Sequence, residues 1–256
     1  MKYTAKQIIQ LYKSYNKCWE YYLNIHRKIT KFEKKIKNTN TREYLIHGVL
    51  RRFNIIWRCI ENIYKKLPPE EEKVQDISIS TDITINLHAF LINIYGIIDN
   101  LGLFVAYENN IFSVSVLDVK QRRETNFFNP KFQEKLSEKL QLYFTRKEII
   151  NWYNEYAKNY RNALAHRIAP YVPTAELSDR DIEERNIIEK EIEKFKFNGS
   201  NYDELHDNLN KFWSIGSTGN CFTHSFSEKS GIVPIHLQIL NDFITIKEMI
   251  LIVLRN

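Results

Sequence analysis

The feature that most constrains this chain is a run of residues from Ile83 to Tyr107 that is apolar almost throughout, yet contains Asn86, His88, Asn93, Asp99 and Asn100. Against lipid those groups would be costly, whereas a folded helical core can pair them. The stretch therefore predicts a central helix covered by other helices. Gly96 and Gly102 lower its helix propensity, which predicts that another helix comes close at those points.

What covers it follows from composition. Only 7 Gly and 6 Pro among 256 residues leave little material for tight turns, which argues against a sandwich or barrel. With 43% apolar and 27% charged residues the chain has ordinary globular composition, and it is long enough to build a core without disulfides or structural metal. The expectation is an all-α helical bundle with long N-terminal helices. Cys18, Cys59 and Cys221 are odd in number and lack paired spacing, so neither a disulfide framework nor a zinc knuckle is read, and a reducing cytoplasm fits. The N-terminal residues have no apolar leader core, and Met249 to Leu254 is too short to span a bilayer, so no targeting or membrane segment is expected.

Apolar residues at three- and four-residue spacing predict a first helix over about 5–36 and a second from the capping box Asn40-Thr-Arg-Glu43 to Pro68-Pro69. The central helix is predicted over 83–108, capped by Thr81-Asp82. Residues 111–129 lack a period and read as loop, with 111–116 as a candidate short strand. Further helices are predicted at about 131–143, from a capping box at Thr145 to Pro170, over 179–197, near 202–213 and over 237–254. Residues 221–235 could form a small hairpin around Ser230-Gly231. A helical domain over 1–197 and a C-terminal extension over 198–256 are expected, the extension packed on the domain. The abundant Tyr and Phe lie on helical stripes and are assigned to packing.

Charge is uneven: residues 1–66 carry 16 Lys/Arg against 4 Asp/Glu, and the remaining 190 carry 21 against 27. Such asymmetry can concentrate a polyanion, although Lys and Arg on outer helix faces are commonly only solvated. No Walker loop or dinucleotide-binding glycine pattern is present. Cys221-x-x-His224 with His206 and His236 has irregular spacing and one thiolate, so no metal site is expected. His88 reads as a satisfied core histidine.

The informative segment is Asn159-Tyr-Arg-Asn-Ala-Leu-Ala-His-Arg-Ile-Ala-Pro170, at the end of a predicted helix. Arg161 and His166 are about 140° apart around a straight helix, whereas Asn162 and His166 share a face, so Asn162 could orient the imidazole. On the residues alone, Arg161 and His166 could equally satisfy helix-end carbonyls and the dipole.

Arg161-Asn162-x-x-x-His166 resembles the Arg-x(4–6)-His signature of the HEPN superfamily, and Tyr95-Gly-Ile-Ile-Asp-Asn100 looks like the core helix of prokaryotic HEPN-like proteins. The resemblance covers about residues 83–173. It implies a metal-independent endoribonuclease in which two protomers line one RNA-binding cleft. In that scheme His166 is general acid/base, Arg161 stabilises the phosphorane and Asn162 positions. Tyr95, Asp99, Asn100 and Arg167 then lie on the substrate side. No cofactor is expected. The partners the resemblance implies are RNA, a second copy of the chain and an antitoxin or regulatory protein, since the family is frequent in toxin pairs and phage defence. Two other classes stay open: a non-catalytic nucleic-acid or nucleotide-binding module using the basic N-terminal helices, and a structural dimerisation protein.

Overall fold

A computed structural model describes residues 2–112, 117–194, 202–223 and 231–255. The chain is all-α, with a single two-stranded ladder among the described residues. Helix α1 (Ala5–Glu33) opens with a capping box in which Thr4 accepts from the Gln7 backbone and Gln7 reaches back to Thr4. It turns Leu11, Cys18, Ile25 and Ile29 inward.

The second helix is one continuous path with a change of winding: α2 (Thr39–Glu43), a π-helical segment (Tyr44–Leu50) and α3 (Arg51–Lys66). Its cap is Asn38, which accepts from the amides of Asn40 and Thr41, so the box predicted at Asn40 is displaced by a competing upstream cap. Leu67 leaves helical geometry at φ −133° because Pro68 follows it.

Helix α4 (Ile77–Glu108) is the central element. It begins before the predicted 83 because Asp76, not Thr81-Asp82, caps it, accepting from the Ser78 amide at 2.7 Å. The α2/α3 path, α9 and α12 all pack on it, and Ile83, Leu87, Phe90, Ile97 and Leu101 are fully buried. By length and composition α4 could cross a membrane, but 67% of its most apolar 18-residue stretch is covered by protein, as in the core helix of a soluble fold.

The two glycines of α4 serve different neighbours. A Cβ at Gly96 would stand 2.6 Å from Cζ of Arg52 on α3, so this glycine admits a side chain from a neighbouring helix. Gly102 instead touches the carbonyl of Thr125, just after α5 (Val119–Glu124), so the close approach there comes from a helix-terminal carbonyl. Helix α5 lies within the predicted loop, where Asp118 and Gln121 form a capping box. The candidate strand at 111–116 falls partly outside the described residues.

The helix predicted at 131–143 is two: α6 (Pro130–Gln133), capped by Asn129, and α7 (Glu138–Phe144), capped by Ser137. A second mixed path follows: α8 (Lys147–Asn151), a π-helical segment (Trp152–Ala157) and α9 (Lys158–His166). The box predicted at Thr145 does not form, since the Thr145 hydroxyl donates back to the Gln141 carbonyl at 2.8 Å. Helices α10 (Asp179–Lys194) and α11 (Tyr202–Ser214) pack on each other. Strands β1 (Cys221–Phe222) and β2 (Val233–Pro234) pair antiparallel with Phe222 opposite Val233, and the predicted turn lies mostly outside the described residues, as does the predicted boundary at 197–198.

Helix α12 (Ile235–Leu254) returns into the bundle against α1, α3, α4 and α7, burying Ile239, Phe243, Ile246, Met249 and Ile250. The predicted aromatic packing is found here: Phe53 stacks on Phe243 at 5.2 Å, and Trp57 lies within 5.3–5.6 Å of Trp19, Tyr22 and Phe243.

Candidate functional site

Both π-helical segments meet the middle of α4, the stretch Tyr95 to Asn100. Extra residues in a helical turn occur often at functional sites, because they re-aim side chains without breaking the helix. From the first segment, Gly48 lets Asn100 approach: a Cβ at Gly48 would be 2.9 Å from Cγ of Asn100. One turn on, Arg52 Nη1 donates to Asn93 Oδ1 at 2.9 Å, and Asn93 Nδ2 donates to the Ala89 carbonyl at 2.7 Å. The buried amide of α4 is thereby satisfied by a cation from α3.

From the other side, Tyr153 of the second π segment donates its hydroxyl to Tyr95 Oη at 3.3 Å and accepts from Asn126 Nδ2 at 2.8 Å. Arg161 on α9 places its guanidinium 5.3 Å from the Tyr95 ring centroid. Its Nη1 donates to Asn162 Oδ1 at 3.1 Å. The Asn162 carbonyl oxygen therefore serves Arg161, not the imidazole it was predicted to orient. Asp99 lies among these groups, half-buried. Burial pushes its carboxyl up to about 6, against the pull of the Arg161 and Arg52 charges.

His166 is exposed, the last residue of α9. Arg161 is half-buried one and a half turns earlier, so the two side chains leave the helix in different directions. Arg167 has left helical geometry and folds back on Asn159, with Nη2 donating to its carbonyl at 2.9 Å and to its Oδ1 at 2.5 Å. Of the predicted residues, the fold thus gathers Tyr95, Asp99, Arg161 and Asn162 around one point. Asn100 is turned to Gly48, and His166 and Arg167 stand at the helix end.

Four other histidines divide by environment. His88 donates from Nε2 to the Pro170 carbonyl at 2.6 Å, the satisfied role predicted for it. His236 is fully buried, donates from Nε2 to Leu67 O at 2.6 Å and is pushed down to about 4 by burial. His206 bonds Asn210 on exposed α11, and His224 lies outside the described residues. Among the described residues no three His, Cys, Asp or Glu side chains come together as a metal would require. At the α4 site, a lone carboxylate between two guanidiniums favours an anion over a cation.

Sequence reading missed Arg52, Tyr153, Asn126 and Gly48. In the sequence Arg52 is one cation among the 16 Lys and Arg of residues 1–66, and nothing in its neighbours marks it as the one that turns inward. It also missed Asp242 of α12, fully enclosed, whose Oδ1 accepts from Trp152 Nε1 and Gln238 Nε2, each at 2.7 Å. A signal existed there, for Gln238 and Asp242 are an i, i+4 polar pair and Asp242 directly precedes the apolar Phe243-Ile244.

No protein-family model matches the chain, and no curated protein or solved structure matches it.

Proposed function

We propose that this protein is a metal-independent endoribonuclease of HEPN type that acts in the cytoplasm as a homodimer. The observation that carries this is the contrast along α9: Arg161 is held in place by Tyr95 and Asn162 beside Asp99, while His166 stands free to solvent at the end of the same helix. An anchored guanidinium suits charge stabilisation on a phosphate, and an exposed imidazole suits proton transfer.

In the proposed reaction the RNA 2′-OH attacks the adjacent phosphorus. One His166 takes the hydroxyl proton as the 2′-O–P bond forms. Arg161 donates hydrogen bonds to the phosphorane oxygens. The P–O5′ bond then breaks, and the imidazolium of the second copy's corresponding histidine gives a proton to the departing 5′-oxygen. The products are a 2′,3′-cyclic phosphate and a 5′-hydroxyl. A dimer supplies both imidazoles, and an apolar strip supports one: Ile85 and Ile92, 58% and 38% exposed, lie at seven-residue spacing from Asp99 and so on nearly its face of α4. An enzyme of this kind would need silencing in its own cell, which fits a toxin or phage-defence effector held by a partner protein.

The test is RNA cleavage by purified protein in excess EDTA, with the product ends identified by mass. Cyclic phosphate termini support the proposal, and intact RNA under all conditions removes it. A second reading has its own observation: Lys28, Lys31, Lys35 and Arg255 converge on one recess of about 150 Å³ where the ends of α1 and α12 meet. That cluster favours a non-catalytic nucleic-acid-binding module, which predicts salt-sensitive RNA binding without cleavage.

A further inference from the structure

Tyr95 faces two ways in function. Besides carrying Arg161, it lines an open cleft of about 560 Å³ formed with the loop before α6, with α6 and with the second π segment. Its volume lies within the range of sites that enclose small organic ligands. Three of its wall residues are aromatic and nearly parallel, layered one on the next: Phe128 stacks on Tyr153 at 3.8 Å and 15°, and Tyr153 lies 5.9 Å from Tyr95 at 21°. The rings lead directly to Arg161.

The other walls are amides. Asn126 is committed at both ends, to the Tyr153 hydroxyl and to the Phe128 amide, and so holds the rings in place. Gln133 donates to the Phe127 carbonyl and keeps its Oε1 as an acceptor, while Asn129 accepts from the Lys131 amide and keeps its NH₂ as a donor. Asn154 is exposed at the rim and offers both. The Tyr95 hydroxyl, accepting from Tyr153, has its own proton left to give. Lys158, also at the rim, precedes Arg161 by one helical turn, so the two cations lie on neighbouring faces of α9.

We propose that this cleft receives one unpaired nucleobase of the RNA, the base flanking the scissile phosphate. The face of Phe128 that Tyr153 does not cover takes a base by stacking whatever its identity, mixed donors and acceptors read its edge, and Lys158 meets the neighbouring backbone phosphate on the way to Arg161. The substrate class is therefore single-stranded or looped RNA, because a base within a duplex cannot enter. This inference rests on the nuclease reading for the position of the phosphate, but the cleft's chemistry stands apart from it.

The experiment compares one oligoribonucleotide in three forms: single-stranded, fully paired, and single-stranded with an abasic nucleotide beside the cleavage position. Cleavage of the first about tenfold or more faster than of the other two is expected, in line with the strength of base stacking. Phe128→Ala should raise KM about tenfold for the intact strand and leave the abasic one unchanged. Asn154→Ala, an exposed change that leaves the fold alone, should alter the preference among the four bases. Equal cleavage of all three forms overturns the base subsite while leaving the nuclease intact. If the wild type cuts nothing, binding of a strand carrying 2-aminopurine decides. Quenching that Asn154→Ala or Phe128→Ala weakens upholds the cleft and removes the nuclease, and quenching indifferent to both removes the cleft as well.

Discussion

Two carboxylates, Asp99 and Asp242, sit on the two most apolar helices of the molecule, and their surroundings are opposite. Asp242 on α12 is enclosed and bonded only to neutral donors, the Trp152 indole and the Gln238 amide, and burial pushes it up to about 7. Asp99 on α4 is half-buried, pushed up only to about 6, and faces the guanidiniums of Arg161 and Arg52. A sealed acid with neutral partners is a tie between elements: it holds α12 to the second π segment through Trp152. An accessible acid among arginines is a brake on their charge, and it can be released. The two therefore predict different consequences, in folding for one and in chemistry for the other.

The largest effect should fall on the Asp99 side. Replacing Arg161 or His166 by Ala should each lower RNA cleavage by roughly 10² to 10⁴ fold, with the circular dichroism spectrum and dimer mass unchanged. Asp242→Asn should leave the cleavage rate as it is. Loss of activity in the Asp242 variant at full stability would erase the distinction between tie and site.

Next comes Asp242→Ala, which strands two part-buried donors. It should destabilise the fold by about 2–3 kcal/mol in urea unfolding, whereas Asp99→Ala, at a half-exposed position, should cost much less. Equal costs would mean that both acids are structural.

The pH dependence of stability separates them further. A carboxyl whose pKa is higher folded than unfolded holds its proton in the native state over the pH interval between the two values. Native stability therefore falls as pH rises through that interval, and the full penalty is present above the folded value. For Asp242 the interval runs from about 4 to about 7. The melting temperature should decline from pH 5 to pH 8, and Asp242→Asn, which keeps the acceptor for Trp152, should flatten the decline and gain up to about 4 kcal/mol at pH 8, at about 1.4 kcal/mol for each pH unit of that interval. A profile as steep as the wild type's would show that Asp242 does not titrate there.

The contrast also shows what could be seen in the sequence. The central helix, its polar interruptions and the arrest of the chain at Pro68 follow from local periodicity and backbone rules, and the fold has them, whereas the helix predicted to run to Pro170 already ends at His166, with Arg167 extended. The residues gathered on α4 are another matter. Asp99 and Tyr95 stand out because they break or border an apolar run, but their partners come from 47–66 residues away in sequence (Arg52, Tyr153 and Arg161), and nothing local says which cation or phenol turns inward. The π segments are invisible for the same reason: they preserve the apolar stripe and change only its phase, and a stripe read by eye absorbs one extra residue. Asn162 shows the limit of spacing alone. It shares a helical face with His166, yet its carbonyl oxygen goes to the neighbouring guanidinium, a permanently charged and therefore strong donor.

The smallest predicted effect bears most directly on Asp99. When its carboxyl is ionised, it competes with a phosphate for Arg161. Protonation below about pH 6 removes that competitor. In the His166→Ala variant, which cannot turn RNA over and serves as the parent, RNA affinity should rise a few fold as pH falls from 7 to 5 at constant ionic strength. Asp99→Asn should already bind at pH 7 as tightly as the acid form does, with no further gain on acidification. If instead Asp99→Asn binds more weakly than its parent, the carboxylate orients Arg161 toward the phosphate, and its negative charge is a positioning element of the site.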